Sequence, residues 1–114
     1  NEGVVLTVEP ADGGPAEEIR ADVVLVAIDR RAATEGLGLD AAGVEVDERG
    51  KVKVDGHFAT NVPGVYAVGD VTGGPAFTHI SYDDYRILRA NLIRGESRSR
   101  AGRLVPYTVF IDPQ

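Results

Sequence analysis

The sequence predicts an α/β chain made of short strands, one β-hairpin and one long helix, and three observations carry that expectation. The stretch 23–28, "VVLVAI", is a continuous apolar run rich in β-branched residues, the pattern of a strand buried on both faces. The stretch 44–54, "VEVDERGKVKV", alternates apolar and polar residues on either side of "DERG", the pattern of a hairpin. Further on, Ile80, Ile87, Leu88, Asn91 and Leu92 recur at helical spacing until Gly95 stops the run.

In chain order, residues 3–9 ("GVVLTVE") are expected to form a strand and "PADGGP" a loop of strong turn formers. "EEIR" leads into the apolar run, so residues 1–28 read as a strand, a turn and a strand that enters a covered sheet. "RRAATEGLGLDAAG" is an irregular or briefly helical connection anchored by Leu37 and Leu39. In the hairpin, Val44 and Val46 alternate on one arm, and Val52 and Val54 alternate on the other. "DGHFATNVPG" is loop, with Pro63 holding Val62 extended, and "VYAV" is a short buried strand. Thr78 or Ser81 is the expected helix N-cap, and Ser81 followed by Asp84 matches a capping-box-like pattern. The basic cluster 94–103, "RGESRSRAGR", is broken by Gly and Ser and reads as a solvated linker. "VPYTVFIDPQ" closes the sequence on an apolar strand pattern.

Composition narrows the function classes. The 114 residues amount to one modest domain, at 43% hydrophobic and 26% charged an ordinary globular mixture. The longest apolar run is far too short to cross a bilayer, and "NEGVVLTVE" is not a signal peptide, so the expectation is a cytoplasmic chain with no membrane partner. A net charge of −6 without a basic face argues against nucleic acid. With no cysteine and two histidines, no disulfide framework, thiol chemistry or metal-ligand set is assigned. Both ends are strand-like and need neighbours for their backbone groups, which predicts an internal piece of a longer protein.

The stretch 62–80, "VPGVYAVGDVTGGPAFTHI", concentrates the chemistry. A short strand ends in Gly69-Asp70, a glycine-rich turn follows, and a helix then starts. Ligands of α/β sheets sit at the carboxyl ends of strands, where an aspartate accepts hydrogen bonds from sugar-like hydroxyls. The helix start presents unpaired N–H groups and the positive end of its dipole. Read on residue types alone, Asp70 equally suits a turn cap, with the glycines merely permitting positive φ.

"TNVPGVYAVGDVTGGPAFTH" resembles the second FAD-binding motif of the pyridine nucleotide-disulfide oxidoreductases, the family of dihydrolipoamide dehydrogenase, glutathione reductase and mercuric reductase. "ADVVLVAIDRRAATEGLGLDAAGVEVDERGKVKVD" resembles the segment preceding it there, and "VPYTVFIDP" is similar to the entry into the C-terminal dimerisation domain. "FTHISYDDYRIL" is nearest to the mercuric-reductase-like and reactive-chlorine-resistance types. The resemblance implies a partial Rossmann-like, three-layer FAD/NAD(P)-binding fold. It places the last strands of an NAD(P)-binding domain at 1–28, the second half of an FAD-binding domain at 29–98 and the start of a dimerisation domain at 99–114.

By the same resemblance Asp70 would hold the ribityl hydroxyls of FAD, with Gly69 letting the cofactor approach. Ala76, Phe77, Thr78 and His79 would lie along the flavin edge, with backbone N–H groups facing the pyrimidine oxygen and the His79 side chain not required. Where the family has a glycine against the nicotinamide dinucleotide, "AIDR" puts Asp29, whose bulk and charge oppose an anionic cofactor. Ala32 stands where a proline is common. The GxGxxG fingerprint, the redox cysteine pair and the C-terminal His-Glu pair do not occur in these residues, and His57 is no substitute base.

The implied parent is therefore a homodimeric FAD enzyme passing electrons from NAD(P)H to a disulfide, metal ion or oxidant. Its other N- and C-terminal portions would be the partners of this chain, which by itself would carry no catalytic residue. Two other readings compete. One is a ferredoxin-reductase or NADH-dehydrogenase type lacking the cysteine pair, against which "VPYTVFIDP" argues. The other is a small non-enzymatic binding domain.

Overall fold

The computed structural model describes residues 3–28 and 30–110, which gather into two units, Asn1–Arg30 and Arg31–Gln114. In the first unit, β1 (Val4–Val8) pairs antiparallel with β2 (Glu17–Ala21), with Val4 opposite Ala21, Leu6 opposite Ile19 and Val8 opposite Glu17. The turn is closed by the Gly13 N–H on the Pro10 carbonyl (3.0 Å) and the Gly14 N–H on Asp12 Oδ1 (3.3 Å). That turn sets the register, so the second strand forms in "EEIRA", ahead of the apolar run. The buried strand predicted at 23–28 does not form: Leu25 is 87% and Ile28 84% exposed. A strand covered on both faces needs neighbours for its ladder, and the described residues supply none to this run.

The second unit holds the core, made of Val44, Val52, Phe58, Ile80, Ile87 and Ala90. The predicted hairpin is present in minimal form. Val46 bridges Val52, the Asp47 N–H donates to the Lys51 carbonyl (2.8 Å) and the Lys53 N–H to the Glu45 carbonyl (3.0 Å). Asp47 Oδ1 accepts the N–H groups of Lys51 and Arg49, both at 2.8 Å, and these bonds, that of Lys51 above all, hold its carboxyl below the ordinary value. The Val52 N–H reaches the Val71 carbonyl (2.9 Å) and so fastens the hairpin beside the turn that follows Asp70.

The loop 55–60 has its own cap. Asp55 Oδ1 takes the N–H groups of Ala59 (2.9 Å) and His57 (2.8 Å), which lower its carboxyl pKa, Ala59 contributing most. This loop drives Phe58 into the core with 0% exposure at a φ of 69°. Left-handed backbone is unfavourable for a bulky residue, so the packing around Phe58 outweighs the strain. "VYAV" joins the loop through a single bridge, Ala59 to Tyr66, and remains partly exposed rather than becoming the buried strand predicted.

Helix α1 (Thr78–Arg94) ends at Gly95, whose φ of 65° completes the stop. It buries Ile80, Asp84, Ile87 and Ala90, while Leu92, which recurs with Ile80 and Ile87 at helical spacing, is 52% exposed. Neither expected cap is used: Phe77 is the cap residue, one position before Thr78 and four before Ser81, and makes no side-chain cap bond. Leu37 is exposed and Leu39 half-buried, so only the latter anchors the irregular 31–43 connection. Residues 104–110 form no strand, and 111–114 lie outside the described residues.

The basic 94–103 segment corrects the linker expectation most clearly. The Arg98 N–H donates to Asn91 Oδ1 (2.7 Å), and Asn91 Nδ2 returns a bond to the Arg98 carbonyl (2.8 Å). Ser99 Oγ and the Arg100 N–H both donate to the Gly56 carbonyl, at 3.1 and 2.9 Å. The Arg100 guanidinium lies 5.4 Å over the Phe58 ring.

Candidate functional site

The site grows from the turn Gly69–Thr72, one turn of 3-10 helix between the 65–68 segment and the glycines before α1. Gly69 has a φ of 77°, and a Cβ there would stand 3.2 Å from Ser81 Oγ. Both facts call for glycine whether or not a ligand is near. The Gly69 N–H donates to Asp84 Oδ2 (2.9 Å), and its carbonyl accepts Thr72 Oγ1 (2.9 Å). The Asp70 side chain is exposed, and its Oδ1 accepts Ser81 Oγ at 3.2 Å. Among the described residues nothing bonds its other carboxylate oxygen.

Past the turn, the Phe77 N–H bonds the Pro75 carbonyl (2.9 Å), and the Phe77 carbonyl accepts the N–H groups of Ile80 and Ser81, both at 3.0 Å. The N–H groups of Thr78 and His79 have no acceptor among the described residues, as the first turn of a helix requires unless a ligand or water supplies one. Ala76 is half-buried, and Thr78 and His79 are exposed. The Phe77 ring stacks on His79 at 5.4 Å and on Tyr107 at 6.0 Å. His79 Nε2 lies 2.9 Å from the Pro106 carbonyl oxygen, which makes that nitrogen the donor and turns the imidazole toward the chain rather than the turn. Asp29 lies outside the described residues.

Sequence reasoning missed three residues beneath the turn. Ser81 and Asp84, read as a capping pair, bond Asp70 and Gly69 instead. Arg103, read as part of a solvated linker, pairs with the remaining Asp84 oxygen and lies 3.4 Å from Asp83. One signal was available. Asp84 falls between Ile80 and Ile87 on the apolar stripe, and a charge in that position needs a cation and further donors.

The sequence pattern of the family described as pyridine nucleotide-disulphide oxidoreductase matches residues 1–84. The chain belongs to this family. Among its relatives, mitochondrial dihydrolipoyl dehydrogenase 1 of Arabidopsis thaliana is 42% identical over 114 residues, 100% of this chain and 22% of that enzyme. Dihydrolipoamide dehydrogenase of Chaetomium thermophilum is 51% identical over 113 residues, 99% of this chain and 22% of that protein. The HOCl-induced flavoprotein disulfide reductase RclA of Escherichia coli, solved as a Cu(II) complex, shares 41% identity and a TM-score of 0.78 over 98% of this chain and 24% of that one.

The fold is accordingly the partial Rossmann-like α/β architecture of flavoprotein disulfide reductases. The chain spans about a quarter or less of the length of these pyridine nucleotide-disulphide oxidoreductases. No helix among the described residues is long and apolar enough to cross a membrane.

Proposed function

We propose that this chain is a central piece of a larger FAD-dependent oxidoreductase that passes electrons from NAD(P)H to a disulfide, a metal ion or a reactive oxidant. The observation that carries the proposal is Asp70. Among the described residues its carboxylate is held at one oxygen by Ser81 and free at the other, at a glycine turn that leads to N–H groups of α1 with no acceptor among those residues. Family membership and relatives that include dihydrolipoyl dehydrogenases and a flavoprotein disulfide reductase support it.

The residues present fit FAD. The free Asp70 oxygen suits a ribityl hydroxyl, and the Thr78 and His79 N–H groups suit an oxygen on the edge of the ring system. A side chain at Gly74 would meet open space, so the turn leaves room beside itself. Bound here, FAD would supply the hydride-accepting and electron-transferring chemistry that the side chains of this chain lack. In this reading Asp70 orients the sugar-like chain, and Gly69 keeps the turn close to it. The Thr78 and His79 N–H groups polarise the ring-edge oxygen, and Ala76 and Phe77 cover that edge against water.

The same proposal assigns 1–28 to the end of an NAD(P)-binding domain, 29–98 to an FAD-binding domain and 99–114 to the start of a dimerisation domain. It places Asp29 beside the nicotinamide dinucleotide, where its charge weakens binding. A cytoplasmic homodimer completes the proposal.

The test is to purify the complete protein, record its visible flavin spectrum and titrate it anaerobically with NADH and NADPH. Bleaching of the flavin band by either is expected. Asp70→Ala is expected to weaken FAD binding about 10- to 100-fold, the range for a lost charge-assisted hydrogen bond. A complete protein that neither carries nor takes up flavin would overturn the proposal.

A further inference from the structure

We infer that Ser81 and Asp84 are positioning residues for the cofactor turn: Asp84, clamped by Arg103, sets the place of Gly69, and Ser81 aims the Asp70 carboxylate. The inference rests on the cofactor reading of Asp70 and extends it to residues in the turns beneath.

Asp84 is 2% exposed. An ionised carboxylate so far from water is costly unless it is paired and fully bonded, and an apolar residue would fill a stripe position between Ile80 and Ile87 at less cost. A leucine there could not accept the Gly69 N–H, which Asp84 Oδ2 does at 2.9 Å. If Asp84 served only to staple the 98–103 segment, its bond to Arg103 through Oδ1 would suffice. The two oxygens are instead divided, one to the staple and one to the turn, so the position of the turn follows that of the helix.

Ser81 acts on the next residue. A serine in a helix commonly bonds a carbonyl of the preceding turn, but this hydroxyl donates to Asp70 Oδ1 at 3.2 Å. Among the described residues the carboxylate is thereby left with one defined free oxygen. The Cβ direction of Gly69 lies 3.2 Å from the same Oγ, so turn and helix meet across the Ser81 side chain. Side chains at 81 and 84 share a helix face, which is why the pair reaches both residues of the Gly-Asp step.

The test is a double-mutant cycle for FAD affinity on the complete enzyme, measured by fluorescence during reconstitution of the apoprotein. Ser81→Ala is expected to raise the FAD dissociation constant roughly fivefold to tenfold, as for one lost hydrogen bond. In an Asp70→Ala background the same change is expected to have less than about a twofold effect, because Ser81 acts through Asp70. The unfolding midpoint of the apoprotein, measured alongside, should barely move for Ser81→Ala. For Asp84→Asn, hydrogen exchange in the apoprotein peptide covering 68–73 should quicken more than in the hairpin.

An equal loss of affinity from Ser81→Ala in both backgrounds would overturn the positioning role while leaving the cofactor reading intact. So would unchanged exchange at 68–73 for Asp84→Asn. If Asp70→Ala itself leaves FAD affinity unchanged, the cofactor reading of Asp70 falls and the positioning role with it.

Discussion

Residues 23–28 and 98–103 are segments of equal length, and neither forms regular secondary structure. The first is the most apolar run of the chain, and most of its side chains stand in solvent. The second is rich in arginine and serine, yet it is bonded at most of its positions to Val54, Gly56, Asn91 and the Asp83–Asp84 pair. Hydropathy measures what a side chain gains when it leaves water. Whether it leaves depends on a partner of the right shape and polarity. The arginines find carbonyls, carboxylates and an aromatic face within reach, whereas the valines find no strand to pair with among the described residues.

The sharpest way to break this contrast is at the floor of the bonded segment. Phe58→Ala in this chain is expected to cost about 4 kcal/mol, since it empties a fully buried ring site beneath Arg100. Leu25→Ala should change stability by less than about 0.5 kcal/mol. Denaturant unfolding of the two variants side by side measures the difference, and equal losses would mean that 23–28 is packed after all.

A smaller effect separates two ion pairs. Arg103→Met leaves Asp84 buried without its cation and is expected to cost about 3 kcal/mol. Arg31→Met removes a solvent-exposed pair with Glu35, at 2.7 Å, and should cost less than about 0.5 kcal/mol. Thermal unfolding of both variants in low and high salt sharpens the point, because only the exposed pair is screened appreciably.

The smallest effect is on the acid side. Asp55 and Asp47 both have carboxyl pKa values lowered in the folded chain by backbone N–H bonds. A group whose folded pKa is depressed stabilises fully above its unfolded value and loses that contribution as pH falls through the folded one. Stability should therefore decline as pH drops below about 4. Asp55→Asn should flatten part of that decline, and an unchanged acid limb in a pH series of unfolding midpoints would show that the 55–60 loop does not depend on its charge.

Much of the local structure follows from short-range chemistry. The turn at "DERG", the antiparallel ribbon either side of "PADGGP" and the stop of α1 at Gly95 each need only neighbouring residues. The candidate site was legible to the same extent. Gly69, Asp70 and the helix start at Thr78 stand out because a Gly-Asp step, a glycine turn and a helix onset lie within one stretch. Ser81 and Asp84 were visible as residues but not in their role, since the capping pattern they match is local and the bonds they make are not.

Short-range chemistry suffices for the α/β class, the hairpin, the long helix and the position of the Gly-Asp step, because turn preferences and periodicity act over a few residues. Long-range contacts are what put Phe58 into the core in a left-handed backbone, turn Asp84 inward to Gly69 and Arg103, and dock the arginine-rich segment. Each of these depends on atoms far apart in the chain meeting at hydrogen-bond or van der Waals distance, and no pattern of neighbouring residues encodes such a meeting.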